Sequence, residues 1–311
     1  MRRFLAGGWV FLLLLTGCAD GDELTAATSS GLNLTPRQNR LTAAEVDEVA
    51  ALVPERVRRT GVLHIGGTID NTPPLSCYAT DNKTPIGFEL DIAVLIAGVM
   101  GLEPDREVTS WENMFLGVDS GKYDVALSNI SVTEERMKTY DFASYRRDRL
   151  GFEAREGSDL KVDEPADLAG KNVALASGST QEKIMLEWSA ENREAGRPAI
   201  NIQYYQKASD YYLALRSGRV DVYVGPSSSV VYHAETTGET ELVGVVDSVT
   251  DTIDSQVGAM SRKDDGTSKA VAAAVNELIR NGKYQKVLDR WGLGDQKISE
   301  SLVNPSVGEG A

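Results

Sequence analysis

Between residues 62 and 225 the sequence runs twice through short apolar segments separated by helical stretches, and this alternation leaves few architectures open. The first run holds VLHIGG after Gly61, an apolar-rich helix in GFELDIAVLIAGVMG from Gly87, a strand near Glu107 and Val108, a helix over 111–120, and the strand YDVALSN from Tyr123. The second holds NVALAS from Asn172, a helix over 181–190, NIQYYQ from Asn201, a helix over 209–217, and VDVYVG from Val220. Short apolar strands alternating with helices build a parallel sheet covered on both faces. Two runs in 311 residues predict two α/β lobes, each a mostly parallel sheet flanked by helices. RLGFEARE from Arg149 and SQVGAMSRK from Ser255 are extended segments placed to run between the lobes as paired hinge strands, and helices over 268–281 and 283–291 would rejoin the first lobe. The expected division is 42–150 with 255–298 for the first lobe, 151–254 for the second, and 299–311 as a tail.

The chain starts with MRRFLAGGWVFLLLLTG, a basic end followed by an apolar stretch too short to span a bilayer comfortably and then small residues. This pattern predicts an export signal over 1–17. Leu15, Thr16, Gly17 and Cys18 resemble the lipobox of bacterial lipoproteins, which implies a lipid on Cys18 and an extracytoplasmic protein anchored to the outer face of the cell membrane. Each buried methylene of such an anchor contributes about 0.8 kcal/mol. Residues 18–41 are polar and without periodicity, as in a flexible tether. Thr42 and Glu45 form a capping-box pattern ahead of a short helix ending near Pro54.

With 41% hydrophobic and 25% charged residues the composition is that of a globular protein. Loss of residues 1–17 would leave 30 basic against 46 acidic side chains, a net charge of −16, which argues against nucleic acid or anionic lipid as partners of the folded body. If Cys18 carries a lipid, Cys77 has no disulfide partner and is a free thiol. There is no G-x-S-x-G elbow, Walker loop or H-E-x-x-H, and His64 and His233 lie far apart; Ser158 and Lys161 form an S-x-x-K without its companion motifs. No metal, cofactor or catalytic residue is expected.

In open α/β sheets ligands sit at the carboxyl ends of the strands, where loops enter helices whose first N–H groups are unpaired. Residues 128–142, SNISVTEERMKTYDF, and residues 177–180 occupy such places, one in each lobe. Arg136 is suited to hold a carboxylate there by a bidentate fork, with the Ser131 hydroxyl beside it and the Thr180 hydroxyl and backbone N–H groups opposite.

The same residues carry a resemblance to the family 3 extracellular solute-binding proteins, the amino-acid-binding receptors of ABC importers. Gly87-Phe88-Glu89-Leu90-Asp91-Ile92, the segment from Trp111 through Lys122 to Asp124, Asn129 to Arg136 with Asp141-Phe142, Asp167-Leu168 with Gly170-Lys171, and Gly282 with Trp291-Gly292 fit its motifs in order. The resemblance implies a type II periplasmic-binding-protein fold that closes on its ligand by hinge motion. It implies Trp111, Asn129, Ser131 and Arg136 from one lobe, and Gly178, Ser179 and Thr180 from the other, as ligand-binding residues, Trp111 packing on the ligand. The implied partners are a small carboxylate ligand and an ABC permease holding the ATPase elsewhere, with the receptor itself a monomer.

The chain departs from the family in three places. Pro226 stands where many members carry the aspartate that pairs with the ligand's ammonium, so either Asp70 or Glu112 takes that role or the ligand has no free primary amine. Asn71 replaces a frequent tyrosine, and Ser144-Tyr145-Arg146 replaces D-P-Y. Two other functions fit the same fold: a dehydratase-like exported enzyme with Glu112 or Asp70 as acid or base, and a sensor that docks on a membrane signalling protein.

Overall fold

The computed structural model describes residues 31–69, 72–147, 149–247 and 253–305. The expected signal segment, Cys18, Asp70 and Asn71 lie outside the described residues. Two sheets form. In the first, Glu103–Val108, Val62–Gly67 and Val125–Ala126 lie side by side and parallel, and Ile253–Arg262 follows antiparallel, pairing also with Ser131–Thr133 and Tyr140–Arg147. In the second, Asn201–Tyr204, Asn172–Leu175 and Val222–Pro226 are parallel, and Arg149–Arg155 and Thr240–Asp247 are antiparallel to them. Each sheet is therefore mixed, its parallel part built from the alternating strands.

The antiparallel part is the hinge. Residues 140–155 are strand on both sides of position 148 and pair along their length with 240–247 and 253–262, so that Arg147 faces Gln256 in the first lobe and Arg149 faces Asp247 in the second. An exposed ion pair, Arg149 Nε to Asp247 Oδ1 at 2.8 Å, closes the second-lobe end. The two segments expected to pair as hinge strands do not pair with each other: Arg149–Arg155 takes Thr240–Asp247 as its partner in the second sheet, and Ile253–Arg262 takes Tyr140–Arg147 in the first, so the connecting strands begin at Tyr140 and Thr240, earlier than the sequence suggested.

The helix Phe88–Val99 is buried on almost every side, ten of its twelve residues lying in the core. Its start needs a glycine: Gly87 has φ +132°, and a Cβ there would come within 2.3 Å of the Leu75 carbonyl. Inside it, Asp91 accepts from Trp291 Nε1 at 3.0 Å, Arg290 Nε at 3.1 Å and Arg40 Nε at 2.8 Å. Those bonds correct the picture of a tether reaching residue 41. Leu32 is buried in the first-lobe core, Leu34 and Leu41 pack against it, and Arg290 also donates to Gln38. From Leu32 on, the segment is a docked strap, held by Leu32, Leu34, Leu41 and Arg40, which give no periodic signal.

The tail is corrected in the same way. Ser144 exchanges hydrogen bonds with Leu302 at 3.0 and 2.9 Å, and Asn304 accepts from the Phe142 N–H at 2.8 Å, so residues 301–304 line the strand Tyr140–Arg147. The short helix expected at Thr42 starts instead at Asp47, with Val46 in an extended conformation at its N-cap, and the Thr42 carbonyl accepts from the Lys283 ammonium at 2.6 Å. Cys77 is a free, buried thiol whose pKa burial pushes up to about 12, too high for nucleophilic chemistry.

Candidate functional site

The strand Ser131–Thr133 runs into a single helical turn, Glu134–Met137. Thr133 caps it, its Oγ1 accepting the Arg136 N–H at 3.1 Å, which fixes the backbone from which the arginine side chain leaves. The guanidinium donates to three neutral acceptors: the Ser131 carbonyl at 2.9 Å in its own lobe, and the Gly178 carbonyl at 3.2 Å and Thr180 Oγ1 at 3.4 Å in the other. Arg136 thus spans the gap between the lobes. Trp111 and Phe115 cover it, their ring centroids 5.5 and 5.8 Å from its central carbon. Among the described residues it has no ion pair. Loss of hydration lowers its pKa to about 10, against a smaller opposing pull from Glu135, so it remains a cation at neutral pH.

Trp111 begins a helix whose N-terminus is capped by Ser110, Oγ accepting the Asn113 N–H at 3.3 Å. Its ring meets Phe115 edge-on at 5.2 Å. A Cβ on Gly178 would lie 3.7 Å from Trp111 Nε1, so this ring too reaches the second lobe.

The second-lobe wall is the loop into the helix Thr180–Glu194. Two of its three expected ligand residues serve the loop itself. The Gly178 N–H donates to Glu182 at 2.6 Å, and the Ser179 hydroxyl donates to the Ala176 carbonyl at 2.6 Å while accepting the Glu182 N–H at 3.2 Å. What remains open is the Thr180 hydroxyl facing Arg136 and the Thr180 and Gln181 N–H groups, which have no acceptor among the described residues.

In the first lobe the Ser131 hydroxyl likewise has no partner among the described residues. Asn129 is different. It holds φ +50°, its N–H donates to Glu89 at 3.2 Å, and its side-chain oxygen takes the Arg146 guanidinium, so its side chain is turned inward. It supports the wall on which Ser131 and Arg136 stand. Arg146 is fully buried, donates also to Gln296, and stands 4.0 Å from Glu89. Tyr145, beside it, donates to Glu89 at 2.7 Å. The altered triplet Ser144-Tyr145-Arg146 therefore belongs to a buried polar network under the cleft.

Glu112, one of the two candidate amine partners, is exposed in the first turn after Trp111 and bonds to no described residue, so nothing brings it to Arg136. Pro226 closes the strand Val222–Pro226 and is the N-cap of the helix Ser227–Thr237. No carboxylate stands at that position. The sequence reasoning missed Phe115 against Arg136 and Glu182 under Gly178. The second had a local signal, since Ser179 to Glu182 reads S-T-Q-E, a capping-box spacing.

The model of the bacterial extracellular solute-binding proteins, family 3, matches residues 65–294. The chain is similar to the arginine-binding protein ArgT of Corynebacterium glutamicum, with 28% identity over 261 residues covering 83% of each chain. It is similar to the L-cystine-binding protein TcyJ of Escherichia coli K12, with 26% identity over 238 residues, 76% of this chain and 84% of the relative. Among solved structures, an ancestral arginine-binding protein bound to arginine superposes with a TM-score of 0.65 at 25% identity, covering 74% of this chain and 98% of that one.

Proposed function

From the premise that the chain belongs to the bacterial extracellular solute-binding proteins of family 3, we propose that it is a receptor that captures an amino acid or a related small carboxylate between its two lobes. It then presents that ligand to an ABC permease in the membrane. It is not an enzyme on this reading, since the relatives compared above are named as binding proteins. The export signal over 1–17 and the lipid on Cys18 complete the proposal as an anchor on the outer face of the cell membrane.

The observation that carries this reading is the Arg136 guanidinium, enclosed between two lobes, covered by two aromatic rings and bonded to neutral acceptors alone. A ligand carboxylate entering there exchanges neutral acceptors for a charge-assisted pair, and the Ser131 hydroxyl and the Thr180 and Gln181 N–H groups supply further donors. The ligands named for relatives, arginine and cystine, are the first to try. A thermal-shift screen over these, the other amino acids and their N-substituted derivatives identifies the ligand, because binding to the native state raises Tm. Calorimetry on Arg136→Ala with that ligand then tests the role. Affinity should fall about thirtyfold to several thousandfold, the 2 to 5 kcal/mol range for a carboxylate left without its partner. A change within about threefold rejects it.

A further inference from the structure

On the hinge side of the gap between the lobes lies a chamber of about 290 Å³, close to the lower end of small-molecule sites at ~300 Å³. None of the residues around Arg136 lines it. Leu32 of the strap, Pro74 and Trp291 form its apolar wall on the first lobe, and Val231 and Tyr232 face them from the second. Its polar end is the start of the helix Ser227–Thr237, eleven residues long, which has no side-chain cap because proline stands at the N-cap. Ser227 and Ser228 both line the chamber. Ser227 is only 6% exposed, and its hydroxyl has no partner among the described residues; the Ser228 oxygen is buried and likewise unbonded. Arg149 stands at the same end. Glu235 lies eight residues further along the helix, about 12 Å away at 1.5 Å per residue, and is exposed with Asp295 at the rim.

A buried hydroxyl left without a bond costs free energy, and an uncapped helix start favours negative charge. Two unbonded serine hydroxyls at one helix start, with Arg149 at the same end, the apolar side chains of Leu32, Val231, Tyr232 and Trp291 beside them and the acids Glu235 and Asp295 kept to the rim, fit one kind of guest. We propose that this chamber is a second small-molecule site, taking a monocarboxylate with an apolar body. Its carboxylate accepts from the Ser227 and Ser228 hydroxyls and the first N–H groups of the helix, and its hydrocarbon part lies between Tyr232 and Trp291. Because one wall belongs to each lobe, the occupant links them and shifts the balance between open and closed forms by its difference in affinity for the two.

The probe is 3-phenylpropionate, which carries a carboxylate and a ring but no ammonium. Titration calorimetry on the full chain should give saturable binding with one molecule per chain. Arg136→Ala should leave that binding within about threefold, while Val231→Trp, which fills the chamber, should weaken it at least tenfold. Ser227→Ala should weaken it about tenfold, the weight of one hydrogen bond to a charged group. Absence of saturable binding up to about 20 mM overturns the proposal. So does binding that survives Val231→Trp and is lost in Arg136→Ala, which would put the probe in the cleft. Amino-acid capture by Arg136 stands or falls separately, in the titrations of Arg136→Ala with its own ligand.

Discussion

Glu89 in the first lobe and Glu153 in the second are both completely buried carboxylates, and the two are surrounded differently. Glu89 accepts from Tyr145 and from the Asn129 N–H and has Arg146 at 4.0 Å. Its network ends at the cleft, since Asn129 lies two residues before Ser131 and seven before Arg136. Glu153 accepts from Thr240 and faces His233 Nδ1 at 2.5 Å, and the His233 ring lies against Tyr212 with centroids 3.5 Å apart. These partners tie the helix Ser227–Thr237 to the strands beneath it and do not touch the loop 178–180. The second-lobe wall is held instead by the local hooks of Ser179 and Glu182. A buried charged network fixes the first-lobe wall from beneath, whereas the second-lobe wall is held by its own Ser179 and Glu182 and that lobe's polar core lies away from it.

Removing a buried charge should break this contrast most sharply in the first lobe. Arg146→Met leaves Glu89 without its cation and frees Asn129, so the fold should lose about 3–5 kcal/mol in chemical denaturation and ligand affinity should fall with it. A loss below about 1 kcal/mol would mean that the network does not hold the wall. In the second lobe, Glu153→Gln keeps the shape and gives up charge-assisted bonds. It should cost about 1–3 kcal/mol while affinity at the Arg136 cleft stays within about threefold. An affinity loss comparable to that of Arg146→Met would erase the distinction between the two walls.

The reach of the sequence followed the same division between local and distant partners. Strand order, the helix starts at Gly87 and Trp111, and the direction of Arg136 were legible, because each rests on residues within a few positions: a glycine with positive φ, a serine cap, a threonine cap. The pairing of Glu89 with Tyr145 spans 56 positions and that of Arg146 with Gln296 spans 150, and no spacing rule reaches so far. The supporting role of Asn129 went unread for that reason: its neighbours place it at the cleft, and only the distant Arg146 ties it to the buried network. The strap from Leu32 to Arg40 failed differently, since a polar segment with few anchors has the composition of a tether until the surface it docks on is known. The helix Ser227–Thr237 went unread because its opening serines look like a loop, although Gly238, at φ +63°, marks its end.

The smallest effect is the most specific to the first-lobe network. Burial raises the pKa of Glu89, and Arg146, Tyr145, Arg106 and the Asn129 N–H, all favouring the carboxylate, only partly offset it. In the unfolded chain the carboxyl titrates near its ordinary value, about 4.3. Between that pH and the higher pH at which Glu89 ionises in the folded protein, the native state holds a proton that the unfolded state has released. Stability from this group is therefore complete below the unfolded value and declines as pH rises through the folded one. One proton limits the slope to about 1.4 kcal/mol per pH unit. Glu89→Gln cannot titrate, so the difference in unfolding free energy between wild type and variant should change with pH in this window, wild type losing ground as pH rises, and should flatten below it. A wild-type minus Glu89→Gln difference that is flat from pH 4 to 8, or that moves in favour of wild type as pH rises, would mean that Arg146 fully compensates the burial and that Glu89 and Arg146 stand as an ion pair throughout.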